Sequence, residues 1–140
     1  MPVNACARST AIVLYLAMQL ERIDHVALGV RDVEAAKKWY CDVLGFRELH
    51  PVVWDEPVFV GNDFVGVALF KAHDNNNRSS SRGLSILHFA FRTSRLGFNS
   101  AQETLRARDI KFEWQDHQIS HSIYFRDLDG HQLEITTYEV

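Results

Sequence analysis

The stretch that most invites a chemical reading runs from His121 to Tyr138, His-Ser-Ile-Tyr-Phe-Arg-Asp-Leu-Asp-Gly-His-Gln-Leu-Glu-Ile-Thr-Thr-Tyr. Its pattern predicts two strands joined by a tight Asp-Leu-Asp-Gly turn. In the second strand Glu134 shares a face with Thr136, and Leu133 shares the other with Ile135. Carboxylates form strands poorly, and one held in a sheet needs a partner or a metal. With the turn centred near Asp129, Tyr124 lies across from Glu134 and Ser122 beside Thr136. The hairpin thus has a greasy side and a side carrying an acid, a phenol and two hydroxyls. Two histidines stand near the starts of similar strands, in Asp24-His25-Val-Ala-Leu and Leu87-His88-Phe-Ala-Phe. His25 falls with Ala27 and Gly29, opposite Val26, Leu28 and Val30; His88 falls with Ala90. Taken singly, each of these residues reads more simply as a packing or surface residue.

The elements that must position these side chains follow from the rest of the chain. After the His25 strand, Asp32 is a good N-cap for a helix to about Leu44, stopped by Gly45. Phe46–Trp54, Pro57–Val60 and Asp63–Lys71 are strand candidates. A polar run, His-Asp-Asn-Asn-Asn-Arg-Ser-Ser-Ser-Arg at 73–82, closed by Gly83, marks a linker over 73–83. The order then repeats: a strand over Leu84–Phe91, a helix over about Phe98–Arg108 with an Asn99/Gln102 capping box, and strands at Ile110–Trp114, Ile119–Arg126 and Leu133–Tyr138. The economical reading is an internal duplication of two βαβββ modules, about 19–72 and 84–138, within one α+β domain spanning 18–140. Residues 1–17 include a short apolar run, too short to span a bilayer, and read as an N-terminal extension.

Composition narrows the class. The chain has 140 residues, 46% hydrophobic and 24% charged, enough for one domain with a sizeable core. A net charge of -3 without a Lys/Arg run argues against a nucleic-acid partner. No membrane association is expected. Cys6 and Cys41 show neither a disulfide framework nor C-x-x-C spacing, which fits a reducing cytoplasm.

Two modules, each opening on a histidine-bearing strand, resemble the vicinal oxygen chelate superfamily of glyoxalases, fosfomycin thiol transferases, bleomycin-binding proteins and extradiol dioxygenases. The segments that carry the resemblance are His25-Val-Ala-Leu-Gly-Val-Arg-Asp, Trp39-Tyr-Cys-Asp-Val-Leu-Gly-Phe46 and Ile123-Tyr-Phe-Arg-Asp-Leu-Asp-Gly-His-Gln-Leu-Glu134. The resemblance implies paired modules curling into a mixed-sheet cup with helices outside. It also implies a divalent metal, Fe, Mn, Zn or Ni, held by His25, His88 and Glu134. The strand-face reading agrees, since all three lie opposite the apolar faces. In the first module Val65, Val67 or Ala68 stands near the fourth ligand position, and none can bind a metal. Two imidazoles and one carboxylate leave open positions, as catalytic metal sites do.

The resemblance leaves several chemistries open. His117, Ile123, Tyr124, Asp127, Gly130 and Glu134 fit a ring-cleaving dioxygenase signature, with Leu128 replacing a proline and Gln115 a common glycine. Tyr124 and His117 are then expected to donate hydrogen bonds to a developing oxyanion. The histidine base of those enzymes is missing, since Asn62, Asp63, Phe64 and Gly66 occupy its region and His73 lies beyond. Dioxygenase-like chemistry on a small oxygen-chelating substrate stands slightly ahead. The alternatives are a glyoxalase-like lyase, a fosfomycin-type thiol transferase with Lys71, Arg92 and Arg126 as anion contacts, and a sequestering protein walled by His50, Trp54 and Trp114. A homodimer is expected, with Trp39, Phe46 and the N-terminal extension as contacts.

Overall fold

Period-two alternation from His25 and a capped amphipathic stretch from Val33 set the pattern of a computed structural model that describes residues 20–51, 53, 55–72 and 86–140. The expected extension over 1–17, the linker over 73–83, Trp54 and Cys6 lie outside the described residues. Module 1 contains β1 (His25–Val30), α1 (Val33–Leu44), β2 (Arg47–Leu49), β3 (Val58–Gly61) and β4 (Gly66–Lys71). Module 2 contains β5 (Phe89–Arg92), α2 (Arg95–Ala107), β6 (Glu113–Asp116), β7 (His121–Arg126) and β8 (Gln132–Thr137). The α+β duplication is therefore present in the fold.

The strands form two four-stranded mixed sheets in the same order, β1-β4-β3-β2 and β5-β8-β7-β6. In each, the first strand pairs parallel with the fourth and the remaining pairs are antiparallel. Because the register is also repeated, Ala27 opposes Ala68 as Ala90 opposes Glu134. Glu134 is on an interior strand, since β8 lies between β5 and β7.

Local chemistry explains the element ends. Asp32 caps α1 by accepting from the Ala35 backbone N–H at 3.0 Å, and Gly45 ends it at φ 68°. The expected Asn99/Gln102 box does not form. Ser94 caps α2 five residues before Asn99, accepting from the Gly97 N–H at 3.2 Å. A Cβ at Gly97 would come within 2.0 Å of Thr93 Oγ1, so a larger residue there would force the Thr93 side chain to turn away. The expected Phe46–Trp54 strand shrinks to β2 because His50 adopts φ 55°, which breaks the ladder. Similarly, Ile110 and Phe112 pack against the core ahead of β6, and the strand itself starts at Glu113.

Leu28, Val30, Val60, Val67 and Leu69 from one sheet join Ile123, Phe125, Leu133 and Ile135 from the other, with Tyr40, Phe98 and Leu105 from the helices, in one buried cluster. The modules therefore meet through their apolar, helix-bearing sides. Trp39 packs at 6.4 Å from Phe125, and Phe46 meets Phe91 edge-on at 5.7 Å. Trp39 and Phe46, expected at a subunit contact, thus pack within one chain against module 2. Trp39 reaches module 2 from α1, and Phe46 does so from just beyond the Gly45 cap. Among the described residues, no helix is long and apolar enough to cross a membrane.

Candidate functional site

The cup face of module 2 is built in rows across its strands. One row runs Ala90, Glu134, Tyr124, Glu113, and the next runs Arg92, Thr136, Ser122, Gln115. The expected pairings of Tyr124 with Glu134 and of Ser122 with Thr136 are thus met, and the two hydroxyls hydrogen-bond at 3.0 Å. Glu113 was missed as a cup residue. Its strand was foreseen, but only the register shows that it shares a row with Tyr124.

His88, just before β5, turns its Nε2 to within 2.9 Å of Glu134 Oε2. The Glu134 side chain is only 10% exposed and that of His88 is 37% exposed, so the pair is set into the face yet open to a ligand. Tyr124 stands edge-on to His88, with ring centroids 5.5 Å apart. Its hydroxyl lies 3.0 Å from His117 Nε2, which brings both expected catalytic residues into contact. Burial, followed by the charge of Glu134, raises the Tyr124 phenol above its ordinary pKa. The group stays protonated at neutral pH. The phenol also shares a side-chain hydrogen bond with Glu134, whose carboxylate accepts from it, while His117 Nε2 meets the same oxygen.

His25 occupies the matching position on module 1. It is exposed on the cup face, its Nδ1 2.8 Å from Asp24 Oδ2 and its ring edge-on to Phe59 at 5.1 Å. That hydrogen bond holds the Asp24 carboxyl below its usual range. Around His25 lies a shallow concavity of about 170 Å3, with Arg22, His50, Phe59 and Asp63 in its lining. Gly66 keeps the space beside the imidazole clear, since a Cβ there would sit 3.3 Å from that of His25. Among the described residues, no single-chain group of three His, Cys, Asp or Glu side chains is assembled as a metal site. One chain brings His88 and Glu134 together and holds His25 on its other sheet. The donors nonetheless suit a divalent metal, being two imidazoles and a carboxylate set on open faces.

The turn beneath Glu134 is anchored from the other module. Tyr40 on α1 donates to Asp127 Oδ2 at 2.8 Å, and His131 Nδ1 lies 2.8 Å from the same oxygen. Asp127 Oδ1 accepts from the Asp129 and His131 backbone N–H groups at 3.0 and 2.9 Å. Arg31 then clamps Asp129 and the Leu128 carbonyl, each at 2.9 Å. This network, buried at Tyr40 and Asp127, was missed, because nothing local links residues 87 positions apart.

The remaining candidates separate clearly. Trp114 pairs with buried Ile123 and packs on His121 at 4.9 Å, so it faces away from the cup and cannot wall it. His50 stands edge-on to Phe59 at 6.2 Å. Lys71 is turned onto the Arg31 carbonyl, and Arg126 onto the Gly130 carbonyl and Gln132. His73 lies outside the described residues.

The chain is similar to metallothiol transferase FosB of Staphylococcus haemolyticus, 27% identical over 121 residues covering 84% of each chain. It is likewise similar to FosB of Staphylococcus epidermidis, 29% identical over 121 residues with the same coverage. The crystal structure of lactoylglutathione lyase from Agrobacterium tumefaciens shares the fold, with a TM-score of 0.67 at 21% identity, covering 87% of this chain and 97% of that one. The family model of the Glyoxalase/Bleomycin resistance protein/Dioxygenase superfamily matches residues 22–135, and this chain belongs to that superfamily.

Proposed function

We propose that this protein is a metal-dependent enzyme that transfers a thiol to a small substrate held through neighbouring oxygens, and that it works as a homodimer. The observation that carries this reading is the 2.9 Å contact of His88 with Glu134 on the polar face of module 2, with Tyr124 in the same row. His88 and Glu134 of one chain, with His25 of a second copy, would hold a divalent ion, Fe, Mn, Zn or Ni. A second copy is needed because the modules share their helix-bearing sides, leaving His25 on a different face from His88 and Glu134. When bound, such an ion acts as a Lewis acid on substrate oxygens. The chain's own residues orient the substrate. Tyr124 offers a protonated phenol to an oxygen that gains negative charge, and His117 holds the phenol in place. A reducing cytoplasm suits the thiol chemistry and the free thiol of Cys41.

Thiol transfer is placed ahead of ring cleavage for two reasons. The curated relatives are metallothiol transferases, and the cup-facing residues of β4 are Gly66, Ala68 and Phe70, none of which can act as a base. One observation favours dioxygenase chemistry as a second reading, namely the 3.0 Å contact of His117 with Tyr124. Lyase chemistry and sequestration have no comparable support, the latter because Trp114 faces outward.

Elemental analysis of protein purified without chelator tests the metal site. Wild type is expected to retain one metal per chain, and His25→Ala and Glu134→Ala to lose it. Co-refolding those two variants should restore about a quarter of the wild-type metal, since half the dimers are mixed and each then has one intact site. Wild type that binds none of the four metals would overturn the reading, and no recovery on mixing would overturn the shared site. Thiol consumption with a fosfomycin-like epoxide supports thiol transfer, whereas oxygen uptake with a catechol would favour the second reading.

A further inference from the structure

Of the three cations first considered as anion contacts, two are engaged within the chain. Lys71 caps the Arg31 carbonyl, and Arg126 is held by Gly130 and Gln132. Arg92 differs. It is exposed at the end of β5, in register with Thr136, on the cup face one row beyond the pairing of Ala90 with Glu134. Its guanidinium carbon lies 4.9 Å from the centroid of the Tyr138 ring, and no carboxylate among the described residues pairs with it. Glu139, the acid next to Tyr138, is taken by Arg95 through both its side chain and its carbonyl. A cation resting on an aromatic face keeps its planar fork free, and that fork matches a carboxylate.

Spacing gives the ligand's dimensions. Adjacent rows on one face are about 6.6 Å apart, so Arg92 stands one row past Glu134 and about two past His88. Thr136, Ser122 and Gln115 continue the Arg92 row as neutral hydrogen-bonding groups. The equivalent positions on module 1 are Gly29 and Phe70, which are small or apolar and bring no competing charge.

We infer that Arg92 is the carboxylate-binding residue of the cup, so that the ligand chelates through neighbouring oxygens at one end and carries a carboxylate about one row away. This inference rests on the proposed metal site for the position of the chelating end. It extends that site by a specificity residue that touches neither the metal nor its donors.

The test is calorimetric titration of wild type and Arg92→Gln, with and without Zn2+, by 3-(3,4-dihydroxyphenyl)propanoate and its neutral amide. With zinc, wild type should bind the acid about tenfold more tightly than the amide. In Arg92→Gln that ratio should fall to near one, with amide and zinc affinities unchanged. Equal binding of acid and amide by wild type, or a preference that survives in Arg92→Gln, would overturn the inference. If zinc binds neither protein, the metal site is refuted, and the ratio in the metal-free titrations still decides whether Arg92 selects a carboxylate.

Discussion

The two modules share strand order, register and a histidine at the same position, yet their cup faces carry opposite chemistry. Across module 1 the central row reads Ala27, Ala68, Phe59, Leu49; across module 2 it reads Ala90, Glu134, Tyr124, Glu113. The next row reads Gly29 and Phe70 in one, Arg92 and Thr136 in the other. Duplication preserved the backbone ladder, which depends little on which side chain stands on the open face. The face itself was free to diverge. Module 2 became a polar floor with an acid, a phenol and a cation, while module 1 kept one histidine on a wall of small and apolar residues. In the proposed dimer, a ligand between such faces would be chelated and hydrogen-bonded on one side and packed on the other.

The largest test of this asymmetry is Glu134→Ala, which should lower metal affinity by at least about 100-fold, read by competition with a chelating indicator. Its counterpart at the same register, Ala68→Ser, should leave metal affinity unchanged. Next, Tyr124→Phe should reduce turnover by about 100-fold with metal content intact, whereas Phe59→Leu, which keeps an apolar wall beside His25, should lower it far less. A reversed outcome in either pair would mean that module 1 carries the chemistry.

The joint between the modules is the next place to press. Tyr40→Phe removes a donor from buried Asp127 and should cost about 1–3 kcal/mol in chemical denaturation. Burial, with Asp127 beside it, pushes the Tyr40 pKa far above its ordinary value of 10.0. The folded state therefore holds this proton where the unfolded chain has begun to lose it. The contribution is complete below pH 10 and declines as pH rises beyond it. Denaturation midpoints should thus fall more steeply above pH 10 in wild type than in Tyr40→Phe.

The smallest effect concerns the helix ends. α1 stops at Gly45 with φ 68°, whereas α2 runs through Arg108 to Asp109 at φ 54°. Gly45→Ala should cost about 1 kcal/mol, because nothing crowds the new Cβ and only the backbone is strained. Asp109→Gly should recover less than that, since Asp tolerates the left-handed region. Thermal melts of the two variants would show shifts of opposite sign.

Much of this molecule was legible from residue order. The β7–β8 register followed from period-two alternation and the Asp-Leu-Asp-Gly turn, so Tyr124 could be set opposite Glu134 without coordinates. Asp32 and Gly45 bounded α1 because capping is a local hydrogen-bonding matter. Element ends set by less obvious local chemistry, such as the Ser94 cap and the His50 break, were misplaced by a few residues.

The sequence by itself determined the duplication, the superfamily and the faces on which His25, His88, Tyr124 and Glu134 lie, since all of these depend on local periodicity and motif. Only the tertiary structure decided that the modules meet by their helix-bearing sides. That choice set Trp39 and Phe46 against module 2, joined Tyr40 to Asp127 and left His25 on a separate half-cup, while the β5–β8 pairing within module 2 put His88 against Glu134. The physical reason is that an amphipathic pattern states which face is apolar, but not which other apolar face will cover it.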